Sequence, residues 1–166
     1  MKKFHLITLS LFLSVILTAA CSKDTANAAP PANSGTPTVM EQKIRITIGN
    51  STMTAIVYDN PTSRSFLSQL PLTVDMNDFA GTEKIFYPPQ HLNIDNNSKG
   101  MNPATGDIAV YAPWGNIALF YHRGGTFSND LIPLGHLESG IDAFSTGGTI
   151  TGVRLEIAGT RNQSNP

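Results

Sequence analysis

Cysteine, charge and long apolar runs are scarce in this chain of 166 residues. Its single cysteine excludes an intramolecular disulfide and a cysteine-rich zinc module. The 11 basic and 12 acidic side chains provide no cationic excess for phosphate backbones, so we expect no nucleic acid among its partners. The longest apolar run, from Phe4 to Leu17, is shorter than the about 20 residues that a membrane-spanning helix needs.

The amino terminus has the residue order of a secretory signal. Met1-Lys2-Lys3 precedes the apolar run, and Thr18-Ala19-Ala20-Cys21 follows it, which predicts a signal peptide over residues 1–20. The residues before Cys21 resemble the lipobox of bacterial lipoproteins, with Thr18 where most members have Leu. That resemblance implies lipidation of Cys21, a membrane as partner and a location in the bacterial cell envelope. By the same resemblance, Ser22 implies the outer membrane, facing the periplasm, if the cell is Gram-negative.

Composition then divides the rest of the chain into three parts. Residues 21–41 are rich in Ala, Pro, Ser, Thr and Asn and show no apolar periodicity, so we expect a disordered tether that begins at the lipidated cysteine. Residues 42–160 carry the patterns of a folded domain. We expect a short disordered tail over residues 161–166.

Alternating apolar residues indicate that the folded domain is built from strands. Ile44, Ile46 and Ile48 alternate with polar residues, and Gly49-Asn50 favours a tight hairpin into a second strand. Asn60 and Pro61 are typical of a helix start, and we expect the helix to cover an open barrel end. Further strands are expected near residues 72–77, 84–87, 107–111, 116–122 and 153–157, with a bulge at Gly152.

The strand expected near residues 116–122 carries large apolar side chains on both faces, which indicates a closed or covered sheet. Short strands, frequent turn residues and one or two short helices are typical of a small antiparallel barrel. The predicted fold is therefore mainly β, a small closed antiparallel β-barrel with one or two short helices.

Three blocks, at residues 106–109, 113–121 and 131–140, resemble the bacterial cyclophilin-like family. The resemblance covers roughly residues 43–158 and implies a barrel of cyclophilin-like type. It implies no settled activity. It also raises a redox partner protein as an alternative, because relatives can accompany flavodoxin-type domains, and no residue of this chain tests that alternative.

We expect a ligand site at one barrel mouth if two strand ends and the turn over residues 137–140 meet there. Aromatic side chains with one Arg and one Glu can hold a small polar ligand or a peptide. The scattered positions of His91, His122 and His136 favour no metal site, and we expect no cofactor. The candidate ligand-binding residues are Trp114, Tyr121, His122, Arg123, Glu138 and Ser139.

These residues favour an envelope lipoprotein that binds a small ligand or a peptide without catalysis. The alternative is an enzyme acting at the barrel rim, such as a weak peptidyl-prolyl isomerase. Tyr121-His122-Arg123 resembles the Phe-His-Arg of true cyclophilins, in which the Arg bonds the prolyl nitrogen beside an apolar pocket. The apolar stretch and the Gln-Gly-Gly-Asp block that follow in those enzymes are missing here, since Gly124-Gly125 comes next.

Overall fold

The computed structural model of the chain describes residues 41–94 and 100–158. The predicted signal peptide, Cys21, the tether as far as residue 40 and the tail over residues 161–166 lie outside the described residues. None of the helices within the described ranges is long and apolar enough to cross a membrane.

Strands dominate the described residues, which contain one short α-helix and one 3₁₀ helix. The elements, in chain order, are β1 (Gln42–Ile48), β2 (Ser51–Val57), α1 (Pro61–Leu67), β3 (Leu72–Phe79), β4 (Glu83–Phe86), β5 (Asp107–Tyr111), β6 (Asn116–Phe120), β7 (Leu131–Leu137), the 3₁₀ helix (Ile141–Phe144) and β8 (Ile150–Ile157).

These strands form a closed barrel in the order β1-β2-β7-β5-β6-β4-β3-β8, and β8 pairs with β1. Every pairing between neighbouring strands is antiparallel. The prediction of a small closed antiparallel barrel is therefore confirmed.

The β1–β2 hairpin has the predicted turn and face. Ile48 pairs with Ser51 across the turn, in which Gly49 adopts a φ of 55° that suits glycine. Ile44 and Ile46 are buried in the main hydrophobic core. Side chains of alternate residues on each strand therefore fill the barrel interior.

Helix α1 begins as predicted and packs against the hydrophobic core through Phe66. Oδ1 of Asn60 accepts a hydrogen bond of 2.8 Å from the backbone N–H of Ser63, and Pro61 occupies the first turn. Phe66 is buried and lines the barrel interior, where its ring centroid lies 6.5 Å from that of Phe86. The interior leaves a cavity of only about 20 Å³, which is room for about one water molecule. The barrel interior therefore has no room for a small-molecule ligand.

Two bulges adjust the strand registers. Between the pairs Val74–Val153 and Met76–Ile150, β8 holds one extra residue, and Gly152 has a φ of 67° there, as predicted. Strand β7, which contains Pro133, is not among the predicted strands. A register shift between the pairs Ile108–Gly135 and Ala109–Pro133 accommodates this proline.

Candidate functional site

The outer face of the β4-β6-β5-β7 sheet carries a second hydrophobic cluster. The buried residues of this cluster are Ala109, Ala118, Phe120 and Leu131. Met101, from the loop between β4 and β5, packs against them. All residues of β6 are buried as a result. This confirms the expectation that both faces of this strand are covered.

Two loop segments cover this face. Glycines in them, which lack a Cβ, allow the segments to lie close to each other and to the sheet. A Cβ on Gly100 would lie 2.1 Å from the carbonyl oxygen of Ser128. A Cβ on Gly124 would lie 2.7 Å from both the Phe120 ring and Pro103. Met101 and Ser128 exchange two backbone hydrogen bonds of 3.1 and 2.9 Å, which join the two segments. The segments over residues 100–105 and 121–130 therefore form a wall beside the sheet.

Between this wall and the exposed aromatic side chains lies a pocket of about 260 Å³. We call it the outer pocket. Its volume approaches the lower end of the range for small-molecule sites. The lining residues that bear on its chemistry are Phe79, Glu83, Tyr111, Trp114, Asn116 and Phe120.

Trp114 forms the aromatic side of the outer pocket. Its side chain is held between two other rings, with centroids 5.8 Å from Phe79 and 5.2 Å from Tyr111, both edge to face. Nevertheless Trp114 is 53% exposed. A large aromatic side chain that is fixed but open to solvent is typical of a surface prepared for a ligand.

Asn116 supplies a buried polar atom in the same pocket. The residue is 2% exposed and begins β6 opposite Tyr111. Its Oδ1 is buried and has no hydrogen-bond partner among the described residues. Buried acceptors nearly always have a donor, so this atom is an exception within the described part of the chain.

Glu83 is the acidic residue of the outer pocket. It pairs with Phe79 on β3 and with Phe120 on β6, so apolar rings flank it on both sides. Its carboxylate has no hydrogen bond or ion pair with the described residues, and burial raises its pKa to about 7. A carboxylate that titrates near neutral pH beside a pocket is a feature of functional sites.

A separate polar cluster lies on the inner side of the barrel around Lys84, which is 0% exposed. Its Nζ donates to Oδ1 of Asp78 at 2.9 Å, to the carbonyl oxygen of Gly148 at 2.7 Å and to that of Thr146. Tyr121 donates its hydroxyl to the same Asp78 oxygen at 2.7 Å. These bonds satisfy the buried ammonium and hold β3, β4 and β6 together with the loop before β8.

Hydrogen bonds within this Lys84 cluster also set its protonation. The Tyr121 hydroxyl and then the Lys84 ammonium lower the pKa of Asp78. The bond to Asp78 in turn raises the pKa of Tyr121 to about 12. Tyr121, which was predicted to line a ligand site, is buried in this cluster and does not line the outer pocket.

The six predicted site residues do not form one rim. The N–H of Gly106, just before β5, donates to the Phe120 carbonyl at 2.7 Å, and its carbonyl accepts from Leu137 at 2.8 Å. The ends of β6 and β7 therefore meet at the start of β5. Trp114 lies beyond the other end of β5, in the turn to β6. The prediction that Trp114 and Glu138 share one barrel mouth is wrong for this reason.

The remaining predicted residues lie outside the outer pocket. Glu138 accepts from Nζ of Lys43 and Oγ1 of Thr54, each at 2.7 Å, and these contacts lower its pKa. His122 is exposed, and its ring centroid lies 4.8 Å from that of Tyr121. Arg123 and Ser139 are exposed and do not line the pocket.

Of the six lining residues named above, five were missed from the sequence, namely Phe79, Glu83, Tyr111, Asn116 and Phe120. One signal was present. Asn116 is a polar residue that begins a strand with apolar bulk on both faces, and such a residue needs a partner. Within residues 41–94 and 100–158, no group of His, Cys, Asp and Glu side chains is arranged to hold a metal ion.

Comparison with known proteins adds a family and a fold. A family model described as the cyclophilin-like family matches residues 46–156. The solution structure of a hypothetical protein from Archaeoglobus fulgidus is similar, with a TM-score of 0.57 and 19% sequence identity. The alignment covers 74% of this chain and 99% of the archaeal one. No curated protein matches the chain.

Proposed function

The chain belongs to the cyclophilin-like family, and we propose that it binds a small ligand or a peptide in the outer pocket without catalysing a reaction. One observation carries the proposal. The half-exposed Trp114 is fixed by two rings over a pocket of about 260 Å³, which Asn116 and Glu83 also line. Apolar walls with a few polar groups are the usual construction of small-ligand sites.

The prolyl isomerase alternative receives less support from the geometry. A cyclophilin-type mechanism needs an Arg beside an apolar pocket, whereas Arg123 does not line the outer pocket. Weak isomerase activity stays a prediction. A peptide isomerisation assay on the full chain and on Arg123→Ala tests it, because only an Arg-dependent rate above background would support it.

Native mass spectrometry of the chain, purified gently from its own host, tests the binding proposal. We expect a reproducible bound mass on the wild type and its loss in Trp114→Ala, because the aromatic side of the pocket is then missing. Tyr87→Ala is the matched control, since Tyr87 is an equally exposed aromatic residue outside the pocket. An unchanged bound mass on Trp114→Ala, or a clean apo mass for all three proteins, would contradict the proposal.

We also propose that the barrel is held at a membrane of the bacterial cell envelope through acyl chains on Cys21. The order of residues 1–21 supports this location. Each buried methylene contributes about 0.8 kcal/mol, so several acyl chains anchor a protein stably. The tether predicted over residues 21–41 would then let the barrel reach ligands away from the lipid surface.

A further inference from the structure

The outer pocket is unbalanced in charge. Glu83 is the acidic residue among its lining residues, and none of the described lining residues is Lys, Arg or His. A carboxylate without a cationic partner attracts a cation and disfavours an anion. The charge of the pocket therefore selects against carboxylate and phosphate ligands.

The ammonium group that neighbours Glu83 in sequence does not correct this imbalance. Lys84 follows Glu83 in β4, but its side chain points to the opposite face of the strand, as expected for consecutive residues. Its Nζ is already engaged by Asp78 and two backbone carbonyls. Tyr111 is the other titratable side chain lining the pocket, and it is neutral when protonated. His122 and Arg123 follow β6 in the wall segment, but both are exposed and neither lines the pocket. Glu83 thus lacks a counter-ion among the described residues of the pocket.

The hydrogen-bonding needs of Glu83 point to the same ligand chemistry. Its ionised carboxylate is an acceptor, and no described residue donates a hydrogen bond to it. A ligand that satisfies it must bring N–H or O–H donors. An ammonium group brings three donors and a positive charge on one atom.

The aromatic side of the pocket favours a cation as well. Phe79, Tyr111 and Trp114 meet edge to face, so they present ring faces in different directions. A cation over an aromatic face is stabilised by the ring quadrupole, most strongly for Trp. The same rings offer apolar surface to the body of the ligand.

From these features we infer that the outer pocket binds a small organic ammonium, a primary amine carried on an apolar or aromatic body. In this arrangement the ammonium lies at the Glu83 carboxylate, and the apolar body lies against the rings of Phe79, which pairs with Glu83, and Trp114. This inference rests on the proposed binding function and names the class of its ligand.

Trp114 is the chain's one tryptophan, so intrinsic fluorescence reports directly on the pocket. We would titrate the full chain carrying Cys21→Ser, which has no acyl chains to absorb probes, with three phenyl compounds at pH 8. The probes are 2-phenylethylamine, 2-phenylethanol and phenylacetate. They share an aromatic body and differ in charge. We expect the amine to bind at least about tenfold more tightly than the alcohol, and phenylacetate to bind most weakly.

Glu83→Gln keeps the size of the side chain and removes its charge. In this variant we expect the amine and the alcohol to bind within about threefold of each other. Glu138→Gln is the matched control, since Glu138 is an outward-facing carboxylate paired with Lys43 and does not line the pocket. It should keep the wild-type preference for the amine.

A pH titration of the wild type tests the same point without a mutation. Burial raises the pKa of Glu83 to about 7, so Glu83 is largely protonated at pH 5. We expect the preference for the amine over the alcohol to fall between pH 8 and pH 5, while binding of the neutral alcohol stays constant.

Each outcome has a distinct meaning. Tighter binding of phenylacetate or of the alcohol, or an undiminished amine preference in Glu83→Gln or at pH 5, would overturn the ammonium inference and leave the binding function standing. No saturable change of Trp114 fluorescence with any probe would overturn the inference. If the host-purified chain also carried no bound mass, the binding function would fail with it.

Discussion

The Nζ of Lys84 lies 2.9 Å from Oδ1 of Asp78, and this ion pair links β4 to β3 on the inner side of the barrel. A fully buried ammonium is costly unless it is paired and hydrogen-bonded. Here Asp78 and the carbonyls of Thr146 and Gly148 accept its protons, and its Nζ lies 5.4 Å from the centroid of the Tyr121 ring. Lys84 therefore holds together strands that also carry residues of the outer pocket.

Replacing Lys84 by Met should destabilise the barrel. The substitution leaves Asp78 without its cation and two carbonyls without their donor, so we expect the free energy of unfolding to fall by about 2 to 3 kcal/mol. Urea unfolding followed by circular dichroism measures it. Lys43→Met is the control, because Lys43 makes an exposed ion pair with Glu138. Loss of that pair should lower the free energy of unfolding much less. Equal effects of the two substitutions would contradict a stabilising role for the Lys84 cluster.

Acid should weaken the same cluster. The pKa of Asp78 is lowered in the folded state by Tyr121 and Lys84, from an ordinary value of 3.8. A lowered folded pKa means that Asp78 contributes stability above about pH 4, and that this contribution is lost as pH falls through the folded pKa. We expect Asp78→Asn to lose less stability than the wild type between pH 4.5 and pH 2.5, as measured by urea unfolding.

The control for the acid experiment is Asp130→Asn. Asp130 is an exposed aspartate whose carboxylate makes no hydrogen bond or ion pair with the described residues. Glu138 and Glu156 also have lowered pKa values and add the same pH dependence to every variant. The free energy of unfolding could depend on pH equally in Asp78→Asn, in Asp130→Asn and in the wild type. That result would show that the Lys84 cluster is not acid-sensitive.

The wall of the outer pocket depends on glycine at position 100. A Cβ there would lie 2.1 Å from the Ser128 carbonyl oxygen, so Gly100→Ala must push the two segments apart. We expect the backbone hydrogen bonds between Met101 and Ser128 to open, with faster amide hydrogen exchange at both residues. Gly147→Ala is the control, since a Cβ there meets nothing within 4 Å. Unchanged protection of Met101 and Ser128 in Gly100→Ala would contradict the description of this wall.

The barrel was predictable from short-range patterns. Alternation at Ile44 and Ile46, the Gly49-Asn50 turn and the glycine at position 152 each act within a few residues, so the sequence displays them directly. Strand β7 was harder to predict because Pro133 argues against a strand, and only the bulge opposite Ile108 and Ala109 removes the conflict.

The site was less predictable because distant segments build it. Glu83 and Asn116 are far apart in sequence, and the pairing of β4 with β6 brings them to one face. The loops that turn this face into a pocket depend on close approaches at Gly100 and Gly124, which no pattern in the sequence reveals. Of the predicted ligand-binding residues, Trp114 lines the outer pocket, and its neighbours there are not the predicted ones.

The proposed lipid anchor is tested by replacing Cys21, whose sulfur would carry the acyl chain. Cys21→Ser should move the protein from the membrane fraction to the soluble fraction, because no acyl chain can then be attached. Ser22→Ala is the control and should keep the protein in the membrane fraction. Fractionation of host cells followed by immunoblotting measures both. Unchanged membrane partition of Cys21→Ser would remove the lipoprotein proposal and leave the pocket proposal unaffected.

Chemical-shift mapping tests the outer pocket most directly. The ¹⁵N-labelled full chain carrying Cys21→Ser would be titrated with small amines, small carboxylates and short proline-containing peptides. We predict saturable shifts at the Trp114 indole N–H, the Asn116 side-chain amide and the Thr126 backbone amide, all of which belong to residues lining the outer pocket. Saturable shifts confined to His122, Arg123 and Ser139, or none with any probe, would contradict the assignment of this pocket as the binding site.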